Sequence, residues 1–456
     1  MSNRSARYRM VLGITGAAVL ATIAAFATFG PFWNSQPHRE PQADPAKSSS
    51  QPAGKAETAS EKLKAESFDV VRRLMADFPQ SSGAVCLMGN LHDYYGESDQ
   101  AVKWWLECLR KDPRRVDVYH GLGRIALRKG QYDKAAELWG KARQINPNLP
   151  GVHGRYAEAL MELGRLDEAL EALHKEIEIS RSPSVVYILL GKVHLQRKDY
   201  DKAITAYEQA MKIEPDDPGA CYGLATAYAR SGQNDKARQY TEEFQRLRDK
   251  ADQTAAKRGR ASEKPIQAAG ILAQTLSDAG GLYFQNLRFD KAEQYWLRAS
   301  RLAPQHIPCR KQLADLYRDT HRTQKALEVC EQLRKIAPKN APYHLMAAAL
   351  LADLKHFDAA EQAAKQALTL APKLTWAYRT LIRVLLLRNE KLVEADQLAQ
   401  KVVELEPTQR HYSLLGEVRY RNKDIPGAVS AMKKASELAP GNAKVQRAYL
   451  RMKERL

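Results

Sequence analysis

Three residue patterns in the 456-residue chain have the types and spacings of reactive or cofactor-binding sites. Gly121-Leu-Gly123-Arg-Ile-Ala126 has the GxGxxA spacing with which a strand-to-helix turn cradles a dinucleotide pyrophosphate. No strand-like run precedes it and it lies inside a helical pattern, so its glycines read as close-packing positions. Five cysteines (Cys86, Cys108, Cys221, Cys309 and Cys330) are the next candidates, as metal ligands or disulfides. They form no CxxC, are odd in number and fall where helices take small or apolar residues, so they are expected to pack as small hydrophobes. Eleven histidines are scattered without HExxH or a haem-attaching CxxCH, and neither GxSxG nor a P-loop occurs. The sequence therefore predicts no catalytic residues, no metal and no cofactor.

What remains is charge. The chain carries a formal net charge of +18, with 27% charged and 44% hydrophobic residues, the balance of an ordinary folded protein. Residues 1–59 hold six Lys or Arg against three Asp or Glu, so about +15 belongs to the rest. A surface of that sign favours acidic protein segments, anionic headgroups or nucleic acid.

The elements that position these charges show best in residues 184–217, SVVYILLGKVHLQRKDYDKAITAYEQAMKIEPDD. Tyr187, Leu190, Gly191 and His194 follow helical spacing, Lys198-Asp199 breaks it, a second run starts at Tyr200, and Pro215 stops that run. Two antiparallel helices in 34 residues cannot bury their apolar faces alone, so like units must stack on each side. They do recur in register. Residues 116–149 carry Tyr119, Leu122, Gly123, Tyr132, Ala135, Trp139, Ala142 and Pro147; residues 82–115 carry Met88, Gly89, Ala101, Trp105 and Pro113. Residues 273–306 carry Gly280, Tyr283, Phe289, Ala292, Trp296, Ala299 and Pro304, and units from 307, 341 and 409 end in Pro338, Pro372 and Pro440. Trp105, Trp139 and Trp296 share one repeat position and are expected in the core.

These offsets resemble the tetratricopeptide repeat (TPR) over about four fifths of the chain. The resemblance implies an all-α solenoid, a right-handed superhelix of helix-turn-helix units. Departures divide it into a first array over 60–251, a charged junction over 252–272 and a second array over 273–456 that ends in a capping helix. The unit from 150 has Glu176 and Arg181 in place of Ala and Pro, and the unit from 375 carries an extra residue near Asn389.

Ahead of the repeats, Arg4, Arg7 and Arg9 precede Val11 to Phe29, nineteen residues without a charge, and then Phe32 and Trp33. Nineteen helical residues span roughly 28 Å, near a bilayer's apolar thickness. Residues 11–33 are therefore expected to form a transmembrane helix with residues 1–10 cytoplasmic. The alternative is a cleaved signal segment, for which Ala25-Phe26-Ala27 fits the site. Either places the repeats outside the cytoplasm, in a periplasm-like compartment. Residues 34–59, rich in Pro, Ser, Ala and Gln, read as a disordered linker.

In the TPR family the inner groove is lined by fixed positions of each unit's first helix. The resemblance implies Asn90, Tyr94, Arg124, Arg128, Lys192, Tyr222 and Arg230 in the first array. In the second it implies Lys311, Arg318, Arg379, Arg383, Arg410, Tyr420 and Arg421. The last two units concentrate arginine, whose forked guanidinium suits carboxylates of an acidic or C-terminal peptide. The expected function is a non-enzymatic, membrane-tethered scaffold that binds other proteins. Neither nucleic acid, given the Asp and Glu among those arginines, nor a small-molecule substrate is expected. The alternatives are an assembly or maturation factor for an envelope complex (secretion, pilus, outer membrane or cytochrome) and the substrate-selecting part of an enzyme.

Overall fold

The computed structural model describes residues 58–180, 183–258 and 263–455, and every element among them is an α-helix. The chain divides between Gln267 and Ala268 into two compact units. The Val11 to Phe29 run and the 34–57 stretch lie outside the described residues. Among the described residues no helix is long and apolar enough to cross a membrane.

In the first unit a lone helix, Ala59–Asp77, packs on the first hairpin, and its start is closed by a Thr58–Glu61 capping box. Five hairpins follow, the last with a lengthened second helix, and the Val116–Arg128 and Tyr132–Ile145 pair shows the logic. Val118, Leu122, Ile125 and Ala126 line one side of the first helix, and Ala135, Ala136, Trp139 and Ala142 line the second. They join one core with Val85, Trp105 and Ala159 of the neighbouring hairpins, so no hairpin owns a closed core.

The turn inside each hairpin repeats a single device. Gln131 N–H bonds Ala126 O at 2.9 Å and Gly130 N–H bonds Leu127 O at 3.0 Å, with Gly130 left-handed at φ 70°. This 6→1, 5→2 pair ends the helix by satisfying its last carbonyls. Left-handed residues recur at Gly96, Gly130, Gly164, Lys198 and Gly232, and again at Leu287, His321, Lys355, Asn389 and Lys423. Both series step by 34 residues, so the repeat length is written into the backbone of each unit. Lys391 adds a second left-handed residue after Asn389. The extra residue lies in that turn, where Leu392–Leu405 starts three residues after the left-handed position instead of two, and a link one residue shorter before Gln409 restores the register.

Two sequence irregularities acquire physical reasons. Glu176, only 2% exposed, reaches across its hairpin to accept from Gly151 N–H at 2.6 Å and Gly154 N–H at 3.2 Å. Gly151, left-handed at φ 89°, offers no side-chain cap to the Val152–Glu162 helix, so Glu176 satisfies the orphan donors from outside. Glu176→Ala should therefore lower stability by about 1–3 kcal/mol, readable as a fall in Tm, while Glu176→Gln should retain part of it. The 252–272 stretch begins inside Asn234–Arg258 and ends inside Glu263–Gln285. The latter helix starts ten residues ahead of the repeat boundary at 273, because Ala268 and Leu272 extend its buried side by more than a turn.

In the second unit Asp278 is a partly buried acid that the helical pattern does not explain. Its carboxyl accepts from Gln274 Nε2 at 2.8 Å, and Gln274 Oε1 lies 3.1 Å from His306 Nε2. Burial pushes the Asp278 carboxyl up to about 7 from an ordinary value of 3.8, and the Gln274 hydrogen bond offsets only part of that. A folded-state value above the unfolded one means stability is fullest below pH 4 and is lost as pH rises through 7. Asp278→Asn should raise Tm at pH 8 by an amount equivalent to as much as about 4 kcal/mol. The gain should shrink steadily toward pH 4 in a series of thermal melts.

Candidate peptide-binding cleft

Several of the groove positions inferred from sequence are already satisfied within their own hairpin or by a neighbouring repeat. Asn90 accepts the Trp105 indole N–H at 2.9 Å, so this amide serves the core. Arg124 pairs with Asp93, and Arg128 donates to Ser98 at 3.2 Å. Lys311 and Arg318 both meet Asp315, at 3.7 and 2.9 Å. Arg383 bonds Asp353 at 2.8 Å. A spacing of 30–31 residues places such cations one repeat beyond their acids, and it also joins Lys129 to Asp99 at 2.7 Å and Arg197 to Asp167. This ladder ties the first helix of one repeat to the repeat before it and lowers the charge the groove presents.

The remaining positions differ among themselves. Tyr94 and Tyr222 are exposed, at 47% and 60%, and the Tyr222 ring packs on Phe244 with centroids 5.4 Å apart. Lys192 and Arg230 are exposed on their helices. Tyr420 is covered by the Arg455 guanidinium, whose centre lies 5.5 Å from the ring.

One site gathers several of these positions. Between Thr375–Arg388 and Gln409–Arg421 lies an open cleft of about 290 Å³ lined by Arg379, Arg383, Leu386, Leu387, Leu414, Glu417 and Arg421. On the first helix the lining residues follow i, i+4, i+7 and i+8; on the second they follow i, i+3 and i+7, so each helix gives one stripe. Leucines form the floor and guanidiniums the rim. Arg421 is held by Leu386 O at 3.1 Å and by Glu417 at 3.4 Å. Arg379 has no acidic partner within ion-pair distance among the described residues, and its nearest strong influence is another cation. Burial and then Arg410 push its guanidinium below the usual range, against a weaker opposing pull from Glu406. A partly buried cation repelled by its neighbour is an electrostatic debt that an incoming carboxylate would cancel.

The leucine floor was not legible as a site. Residues 381–387 read LIRVLLL, and a run that apolar gives no sign that Leu387, 51% exposed, turns outward while Leu385 is fully buried. The GxGxxA glycines, by contrast, have a definite structural role. A Cβ on Gly121 would come within 2.7 Å of Trp105 Cη2, and one on Gly123 within 2.7 Å of Trp139 Cε2. The two positions exist to let indoles seat against a helix backbone, which is what a packing motif requires and a phosphate loop does not. No group of His, Cys, Asp and Glu among the described residues is arranged to hold a metal ion.

Family models of the tetratricopeptide repeat match residues 86–151, 126–178, 194–262 and 341–374. These hairpins are tetratricopeptide repeats. Among solved structures the chain is similar to MamA at 24% identity, covering 36% of this chain and 97% of that one with a TM-score of 0.34. It is similar to yeast Tom70 at 16% identity, covering 83% and 96% with a TM-score of 0.33. It is also similar to PilF of Pseudomonas aeruginosa at 21% identity, covering 55% and 99% with a TM-score of 0.33. No curated protein matches the sequence.

Proposed function

We propose that this chain is a non-enzymatic scaffold that binds acidic or carboxylate-ended segments of partner proteins in the cleft between Thr375–Arg388 and Gln409–Arg421. The observation that carries the reading is Arg379, a partly buried guanidinium set beside Arg410 and above exposed leucine without an acid of its own. A carboxylate would take hydrogen bonds from that fork while an adjacent apolar side chain covers Leu387 and Leu414. Because the stripes belong to packed helices, the receptor side loses little freedom on binding. Residues 11–33 tether the array to a membrane with its repeats outside the cytoplasm, and the tether raises its effective concentration near membrane-bound partners. The arginines at 4, 7 and 9 and the uncharged run that follows support this part.

Photo-crosslinking tests the site. A photoreactive amino acid replacing Leu387 in the full chain should capture a peptide ending in Leu-Asp-Asp-Leu with a free carboxylate, and capture should weaken when that carboxylate is amidated. The same probe replacing Leu106, equally exposed at 51% in the first unit, should capture little. Equal capture from both positions would show adventitious contact and remove the assignment.

A further inference from the structure

Of the five buried cysteines, three are isolated from one another. Cys221 Sγ lies 3.7 Å from Met211 Sδ, Cys309 donates to His306 O at 3.3 Å and Cys330 to Tyr343 O at 3.3 Å. Cys86 and Cys108 differ. They sit on the facing helices of the first hairpin, Ser82–Tyr94 and Ser98–Lys111, in one core cluster at 1% and 0% exposure. Cys108 Sγ donates to Ser82 O at 3.3 Å, one helical turn before Cys86. Cys86 Sγ lies 3.5 Å from Asp117 Oδ2 of the next repeat, and each thiol is the strongest influence on the ionisation of the other. Twenty-two residues separate them in sequence, so no motif marks the pair.

We propose that Cys86 and Cys108 are a disulfide site that closes the first hairpin when the chain meets an oxidising disulfide. Small side chains in one core cluster on facing helices, with Cys108 Sγ seated 3.3 Å from the carbonyl one turn before Cys86, meet the requirement of the bond, which tolerates little separation. On the opened chain the thiolate of one of the two cysteines attacks one sulfur of a small-molecule disulfide RSSR and releases RS⁻. As the helices pair, the sulfur of the other cysteine displaces the second RS⁻ from the mixed disulfide. The two thiol protons end on the two departing thiols, so one disulfide forms as another is reduced. Both sulfurs are enclosed in the folded hairpin, so exchange takes place on the folding or opened chain.

The test uses the full chain refolded from urea with either reduced or oxidised glutathione, then denatured and alkylated with a maleimide. With the oxidised form the alkylated thiols should fall from five to three. The tryptic peptide bearing Cys86 should be joined to that bearing Cys108, and the unfolding midpoint of the first unit should rise by about 5–10 °C. Cys86→Ala and Cys108→Ala, each made singly, should form no intramolecular pair. Five alkylated thiols after oxidation, a joined peptide carrying another cysteine, or a pair persisting in either variant would overturn the proposal. The wild-type peptide map decides the matter even if a variant folds poorly.

Discussion

Gly223→Ala should destabilise the first unit by about 2–4 kcal/mol, one of the largest effects expected from a single added methyl. Tyr207 is only 1% exposed, and its ring lies between two helix backbones. A Cβ on Gly191 of its own repeat would reach 2.5 Å from Tyr207 Cζ, and a Cβ on Gly223 of the next would overlap the ring's edge. The ring is clamped from both sides by close-packed helices, so it cannot swing away without opening the hairpin stack. Urea denaturation should show the midpoint fall. The double variant Gly223→Ala with Tyr207→Leu should be more stable than the sum of the two single losses implies, with a coupling of roughly 1 kcal/mol or more. Additive losses would mean that the ring and the glycine do not share the contact.

The second large effect concerns binding with stability left intact. Replacing Arg379 and Arg410 together by Gln should weaken binding of a carboxylate-ended acidic peptide by at least about thirtyfold, since a charge-assisted hydrogen bond to a carboxylate is worth roughly 1.5–3 kcal/mol. The same change should leave Tm unaltered or slightly raised. In the folded chain Arg379 is partly desolvated and repelled by Arg410, so neutralising both removes a strain and breaks no ion pair. Arg383→Gln behaves differently. It parts from Asp353, so some loss of stability should accompany any loss of binding. Opposite signs in the two melts separate a ligand-facing arginine from a ladder arginine.

Much of the architecture was legible in the sequence because the repeat states each rule many times. Ala101, Ala135, Ala203, Ala292 and Ala326 all pack fully buried at one repeat position. The closing prolines lie just past second helices that end at Lys111, Ile145, Ile213, Leu302, Ile336, Leu370 and Leu438. The site was less legible, and the reasons are local. Groove positions say which side a residue faces, but whether Arg124 is available depends on Asp93 one repeat back. A pattern of single units does not show pairs at a 31-residue spacing until the stacking is known. Leu387 and the shared core cluster of Cys86 and Cys108 are hidden in the same way. One is an apolar residue left outside by a helix apolar on nearly every face; the other is a pair joined only when two helices fold together.

Fluorescence polarisation of a labelled, carboxylate-ended acidic peptide against the full chain at low and high salt shows whether the cleft takes a carboxylate. Saturable binding should weaken as salt rises, weaken when the peptide is amidated, and be lost in Arg379→Gln/Arg410→Gln with Tm preserved. Binding that persists unchanged in that variant, or that ignores both salt and the terminal carboxylate, would contradict the carboxylate assignment.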